Sequence, residues 1–310
     1  MEPNGEERDP ELTIAALILA ATPHRPQCGL WQNRAFGRRP CAYGELMRII
    51  TLLLLTLTAA LLADAAELAP APICTDRPTK STGTCTAEAG HLQLEADLVS
   101  YSELSLDGTR TDTLLALNPT LKLGLNSRLD LELNLPLWTQ NRTRDAGGSS
   151  STARGSGDLS LKLKQKLYTG PVLELALMPV VKAPSAAHAL GNGAWEGGVL
   201  LPLVATLSDE WSLNLSPELD VLANASGSGH HLNTAQLVNL GRTLPHDVTL
   251  SIELWADWNR DPAGSQRQAS FDLGAAWLLS TDLQLDGGVN LGLNRLTPGL
   301  QAYLGLSQRF

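Results

Sequence analysis

From His91 to the C terminus the chain alternates apolar and polar residues with a period of two. In "LDLELNLPLW", residues 129–138, the leucines 129, 131, 133, 135 and 137 fall on one side of an extended strand. Asp130, Glu132 and Asn134 fall on the other, because successive side chains of a strand point to opposite faces. The repeat predicts about twelve strands, near residues 91–104, 111–125, 127–138, 157–168, 172–183, 197–207, 211–223, 231–243, 247–259, 267–280, 283–294 and 299–310. They run roughly 11–14 residues, against about 5–6 in globular sheets, and a tilted strand needs about 9–11 to cross a bilayer. No segment carries a convincing helical period.

Connector lengths alternate as well. Asn126, residues 169–171, 208–210, 244–246 and 280–282 are minimal links. The intervening ones, such as 139–156 and 184–196, are long and rich in Gly, Ser and charge. Short turns at one end and long loops at the other are the outer-membrane pattern, with the short turns periplasmic. The apolar face is dominated by leucine, for example Leu115, Leu117, Leu121, Leu123 and Leu125, then Leu213, Leu215, Leu219 and Val221. Twelve strands enclose a wide interior that leucine fills poorly at 5% aromatic content, whereas lipid accepts a uniform leucine belt. The oil is therefore outside, and the fold expected is an all-β, transmembrane, antiparallel up-and-down barrel. Trp211, Trp258 and Trp277 fall on the apolar face near strand ends, as an interfacial girdle requires, while Trp138 and Trp255 have the opposite parity.

The polar face supplies the lumen candidates Arg128, Asp130, Glu132, Lys162, Lys164, Lys166, Glu174, Glu218, Asp220 and Glu253. Antiparallel pairing brings Glu132 beside Lys162 and Asp130 beside Lys164, with Glu174 near the lysine row. Two outcomes stay open: ion pairs that fill the interior, or a transverse field between the lysines and Glu218, Asp220 and Glu253. The last strand, "GLQAYLGLSQRF", keeps Leu300, Ala302, Leu304, Leu306 and Phe310 in one parity. It resembles the C-terminal signature read by the barrel assembly machinery, with Phe310 as the assembly signal.

A net charge of −9 and a pI near 5.1 exclude a nucleic-acid partner, since no basic stripe exists to neutralise phosphates. "MRIITLLLLTLTAALLADAAE" carries Arg48, an apolar core and Ala63-Asp64-Ala65 as a small-x-small cleavage site. It reads as a signal peptide over 47–65 that begins inside the chain, with Met47 as the true start and 1–46 as an extension assigned too early. Residues 44–47 can be encoded with a ribosome-binding sequence just ahead of that methionine. The mature chain then begins at Ala66, with a periplasmic segment over 66–90 and a barrel over 91–310. It keeps Cys74 and Cys85, expected as one disulfide outside the wall, because no further ligands complete a zinc site.

"CTDRPTKSTGTCTAEAGHLQLEADLVSYS", "GSGDLSLKLKQKL", "MPVVKAPSA", "GNGAWEGGVLLPL" and "GLSQRF" resemble, in order, an outer-membrane transporter family grouped under the meta-pathway of phenol degradation. The resemblance covers residues 74–310. It implies a barrel in the Gram-negative outer membrane that passes small solutes, aromatic or hydrophobic ones among them, with lipid and the assembly machinery as partners.

The rival readings are a structural or adhesive barrel and an outer-membrane lipid-modifying enzyme. The second needs a serine and base in hydrogen-bond reach. Ser228 and His230 lie near each other, but "HHLNT" does not reproduce the order of the phospholipase type. "GSGDLS" and "GNGAWEGG" lack the strand–turn–helix frame of a phosphate cradle, and His230-His231 sit in a Gly/Ser loop. The sequence thus offers no catalytic residue, cofactor or metal.

Overall fold

The computed structural model describes residues 71–310. The start expected at Met47, the signal peptide expected over 47–65 and the mature terminus expected at Ala66 lie outside the described residues. Fifteen ladder segments follow: β1 (Leu92–Leu106), β2 (Thr109–Asn126), β3 (Leu129–Asn134), β4 (Trp138–Arg144), β5 (Ser150–Gly155), β6 (Ser160–Thr169), β7 (Leu173–Lys182), β8 (Glu196–Leu200), β9 (Leu203–Thr206), β10 (Trp211–Ala223), β11 (His230–Leu244), β12 (Val248–Asn259), β13 (Gln266–Ser280), β14 (Leu283–Gly292) and β15 (Leu300–Arg309). They make twelve wall strands, because β3 with β4, β5 with β6 and β8 with β9 are successive halves of one strand. All strand pairings are antiparallel, and β1 bonds to both β2 and β15, which closes the sheet into the all-β barrel that the alternation predicts.

Proline causes two of the interruptions. Pro136 separates β3 from β4 and Pro202 separates β8 from β9, since neither donates to a ladder. Backbone bonds still carry the wall across: Leu135 N to Pro119 O (2.9 Å) and Leu137 N to Leu117 O (3.0 Å) at the first break, and Leu201 N to Pro217 O (3.0 Å) and Ala176 N to Pro202 O (2.9 Å) at the second. Residues 139–156, expected as a long loop, form the β4–β5 hairpin with a turn at 145–149. The stretch is polar on both faces, so its strands lack the apolar alternation that marks the others. Asp107-Gly108 closes β1–β2 with φ of 49° and 79°, the pair of positive values that a two-residue hairpin turn requires.

The lower part of the wall, next to the C terminus, has leucines outside and charge inside. Leu304 is 60% exposed and Ile252 48%, whereas Glu253 and Lys164 are fully buried. Leu129, expected on the outer face, is 1% exposed at the register shift between Gly124 and Asn126.

On four neighbouring strands this parity inverts partway up. Asp97 pairs with inward Gly305, but Val99 pairs with outward Leu304, so Leu98 and Val99 are both exposed. Opposite them, Leu117 has a φ of 56° and Ala116 pairs with Val99. Ala116 in turn pairs with Trp138, which follows exposed Leu137. Leu115, expected outside, therefore lies on the inner face across from Ser100, and Trp138 lies on the outer one. A one-residue slip moves a strand's whole side-chain set to the other face.

Candidate functional site

The wall surrounds residues 71–90, which make a circuit of its inner surface. Ile73 N donates to Thr281 O at the β13–β14 turn, and Arg309 donates to Ala71 O. Arg77 then bonds Asp97 and Asp286, and Lys80 bonds Ser270 and Asp272. The Lys80 and Ser81 amides donate to Glu253, and Thr82 O accepts from Asn214 and Ser216. Thr84 donates to Glu174, Ala87 N to Asp130, and Gly90 N to Gly124 O. The contacts run from β14 through β13, β12, β10, β7 and β3 to β2. The disulfide joins Cys74 to Cys85 across this circuit, so the bridge expected outside the wall lies inside it. Inward charges explain the position: buried carboxylates and ammoniums need partners, and this segment supplies both signs.

Asp76 is its electrostatic centre. Lys164 Nζ donates to both carboxylate oxygens at 2.7 and 2.5 Å, and Lys122 Nζ bonds Oδ2. Lys122 also meets Glu95 at 2.7 Å, and Lys164 meets Glu132 at 3.3 Å. Burial alone would raise the Asp76 pKa, but the two ammoniums together outweigh it and hold the carboxyl well below the usual range. Arg77 fits because its neighbour has no side chain: a Cβ on Gly305 would lie 1.9 Å from Nη2.

The ladder pairs Asp130 with Lys164 and Glu132 with Lys162, as antiparallel pairing predicts. Glu174 is brought to the segment, not to the lysine row. Glu218 and Asp220 share the inner face of β10, where Asn233 donates to Asp220. Lys166 is half-buried opposite Ala176, and Arg128 is exposed in the β2–β3 turn, where Lys166 N donates to its carbonyl. Between Lys164 and Glu253 stands the segment itself, bonded to both. Sequence reading missed Asp76, Arg77, Lys80 and Lys122; the inward parity of Lys122, between Leu121 and Leu123, is the signal that could have found one of them.

Above the segment the inner face of β1, β2 and β4 is neutral, with Ser100, Ser102, Thr113 and Asn141, whereas β6, β10 and β12 carry Lys162, Glu218, Asp220 and Asp257. Near the far rim His231 contacts Asn224 at 2.9 Å, and His230 contacts Trp195 O at 3.0 Å.

Among solved structures, the COG4313 outer membrane channel from Pseudomonas putida F1 shares the fold, with a TM-score of 0.59 at 16% identity over 76% of this chain and 99% of that one. The NanC porin (TM-score 0.45, 9% identity, 70% of this chain, 98% of that) and the CymD monoaromatic hydrocarbon channel (0.41, 10%, 72%, 88%) are more distant. No curated protein sequence matches this chain. The model of the family described as "Putative MetA-pathway of phenol degradation" matches residues 75–310, which take in most of the inserted segment and the whole wall, and the chain belongs to that family.

Proposed function

We propose that this protein is an outer-membrane channel for passive passage of small solutes, aromatic or hydrophobic ones among them, and that residues 71–90 set what passes. The observation that carries the reading is the circuit of bonds between that segment and the inward residues of the wall. A barrel built only as a scaffold has no need for inward charges that are spent on a segment inserted across its interior. The family's tie to phenol degradation supports the solute class. Export by the signal over 47–65, delivery to the assembly machinery through Phe310 and a lipid-facing leucine belt complete the account. The short-turn end, with Ala71 and Phe310, faces the periplasm.

The barrel is read as non-enzymatic. His230 and His231 spend ring nitrogens on Trp195 O and Asn224, which supports a structural role for that loop.

The test is reconstitution of the purified barrel in planar bilayers and in liposomes with a solute panel. Small unitary steps are expected, enlarged when residues 71–90 are deleted, with an unheated gel band reporting that the wall is intact. A folded barrel that conducts in neither form would leave the scaffold reading in place.

A further inference from the structure

The parity inversion carries charge onto the outside of the barrel. Above it, Glu103 pairs with Asp112, Asp112 with Arg142, and Arg110 with Arg144, all in the same outward parity as Val99 and Ala116. Arg154 joins them through Gln140. Arg110 and Arg144 are 42% and 41% exposed at the side chain, and both hold Asp112, at 2.9 and 2.6 Å. Tyr101 Oη donates to Asp112 and accepts from Arg110, which ties the cluster to β1. Arg142 and Arg154 are exposed and contact no carboxylate among the described residues. The patch holds four guanidinium groups against two carboxylates.

Its height on the wall is defined. The outward run of β1 from Leu92 to Tyr101 covers about 10 residues, the length that crosses the hydrocarbon, so the arginines begin where it ends. Tyr101 and Trp138 mark that boundary, as aromatic residues do at an interface.

Directly alongside lies an apolar hollow of about 860 Å³. Its floor is small: Ala275, Gly287 and Ala302 stand between Ile252 and Leu304. One continuous row crosses the sheet from Val289 through Ala302, Tyr101, Leu114 and Gln140 to Arg154. Four strand spacings separate Ala302 from Arg154, about 19 Å.

We propose that this face binds a phosphorylated glycolipid of the outer leaflet, with phosphate on Arg142 and Arg154 and an acyl chain in the hollow. The inference rests on the outer-membrane orientation proposed above. Guanidinium matches phosphate bidentately, and a carboxylate-bearing cluster beside it holds Arg110 and Arg144 extended toward the same headgroup. A soluble anion would use the arginines but leave the hollow without purpose; a lipid uses both.

The test titrates the purified full-length barrel in detergent with bisphosphorylated lipid A and with its dephosphorylated form, read by native mass spectrometry. Wild type should bind the phosphorylated form at least tenfold more tightly. Arg142→Ser with Arg154→Ser should erase that preference, and Ala275→Leu, which fills the hollow, should weaken both forms. Arg295→Ser, which removes a rim cation outside the patch, should change neither. All the substituted positions are exposed on the surface, and an unheated gel band checks that each variant is folded. Equal affinity of wild type for the two lipids, or a preference kept by the double variant, overturns the site. Displacement by millimolar inorganic phosphate would also overturn it in favour of a soluble-anion site. Separately, Ser150→Cys should react with an impermeant maleimide on intact cells. Labelled cells with unchanged lipid binding sink the site alone, whereas unlabelled cells sink the orientation and the site with it.

Discussion

Lys164 and Arg154 stand on the same wall strand, ten residues apart, in opposite worlds. Lys164 is fully buried, facing inward, and holds Asp76 and Glu132. Arg154 is exposed, facing outward, with no carboxylate partner among the described residues. Their separation is an even number, so strict alternation would place both inside. The break at 155–159 between β5 and β6 sends one to the lumen and the other to the membrane side. Burial then dictates chemistry: an inward cation must be matched by an acid, while an outward one at the interface can keep water or a phosphate.

The sharpest way to break this contrast is to remove the inner match. Asp76→Asn leaves two buried ammoniums without their shared carboxylate and should loosen the segment by about 3–5 kcal/mol. Unitary conductance should rise severalfold while the wall stays heat-modifiable; unchanged steps would mean the segment is held elsewhere. The pH dependence follows in sign. A carboxyl whose folded pKa is depressed stabilises fully above its unfolded value, about 3.9, and loses that only as pH falls through the folded value. Wild-type conductance should therefore be the same at pH 7 and pH 5 as far as this clamp is concerned.

Opening the disulfide comes next. A bridge between residues 11 apart restrains the free segment by about 2–3 kcal/mol at most. Cys74→Ser with Cys85→Ser should increase the frequency of large openings without shifting the barrel's own melting. Gly305→Ala should act more mildly, by about 1–3 kcal/mol, because its Cβ displaces the Arg77 guanidinium from Asp97 and Asp286. Lys162→Glu, on the inner face beside the clamp but outside it, should move the reversal potential toward cations, and Leu161→Ala on the outer face should not. Smallest of all in the inserted state is Phe310→Ala. Its ring is exposed and its amide bonds Leu92 O, so assembly should slow while conductance stays put.

The strands were legible because leucine alternation is a strong, repeated signal, and the pairing of Asp130 with Lys164 follows from it directly. The inserted segment was not, since "ICTDRPTKSTGTC" has no period and its partners are far away in sequence. The signal that could have found it is an imbalance, with Glu253, Asp272 and Asp286 aimed at an interior that β-strand lysines alone do not neutralise. The inversion left a fainter trace. Leu98-Val99, Ala116-Leu117 and Leu137-Trp138 are adjacent apolar pairs within otherwise alternating strands, and each marks a place where two successive residues share the outer face.

That inversion also constrains how such a barrel can change over generations. Deleting one residue of the Leu98-Val99 pair would turn Glu103 inward on β1 while Asp112 on β2 stayed outside, splitting a matched cluster between two solvents. No single indel is neutral there, because neighbouring strands must flip in concert for their ladders to agree. A lineage that did make the coordinated change would exchange an arginine-studded exterior for an arginine-lined pore with no new residue invented. The position of one extra residue, more than the inventory of charges, is what selection has to hold fixed.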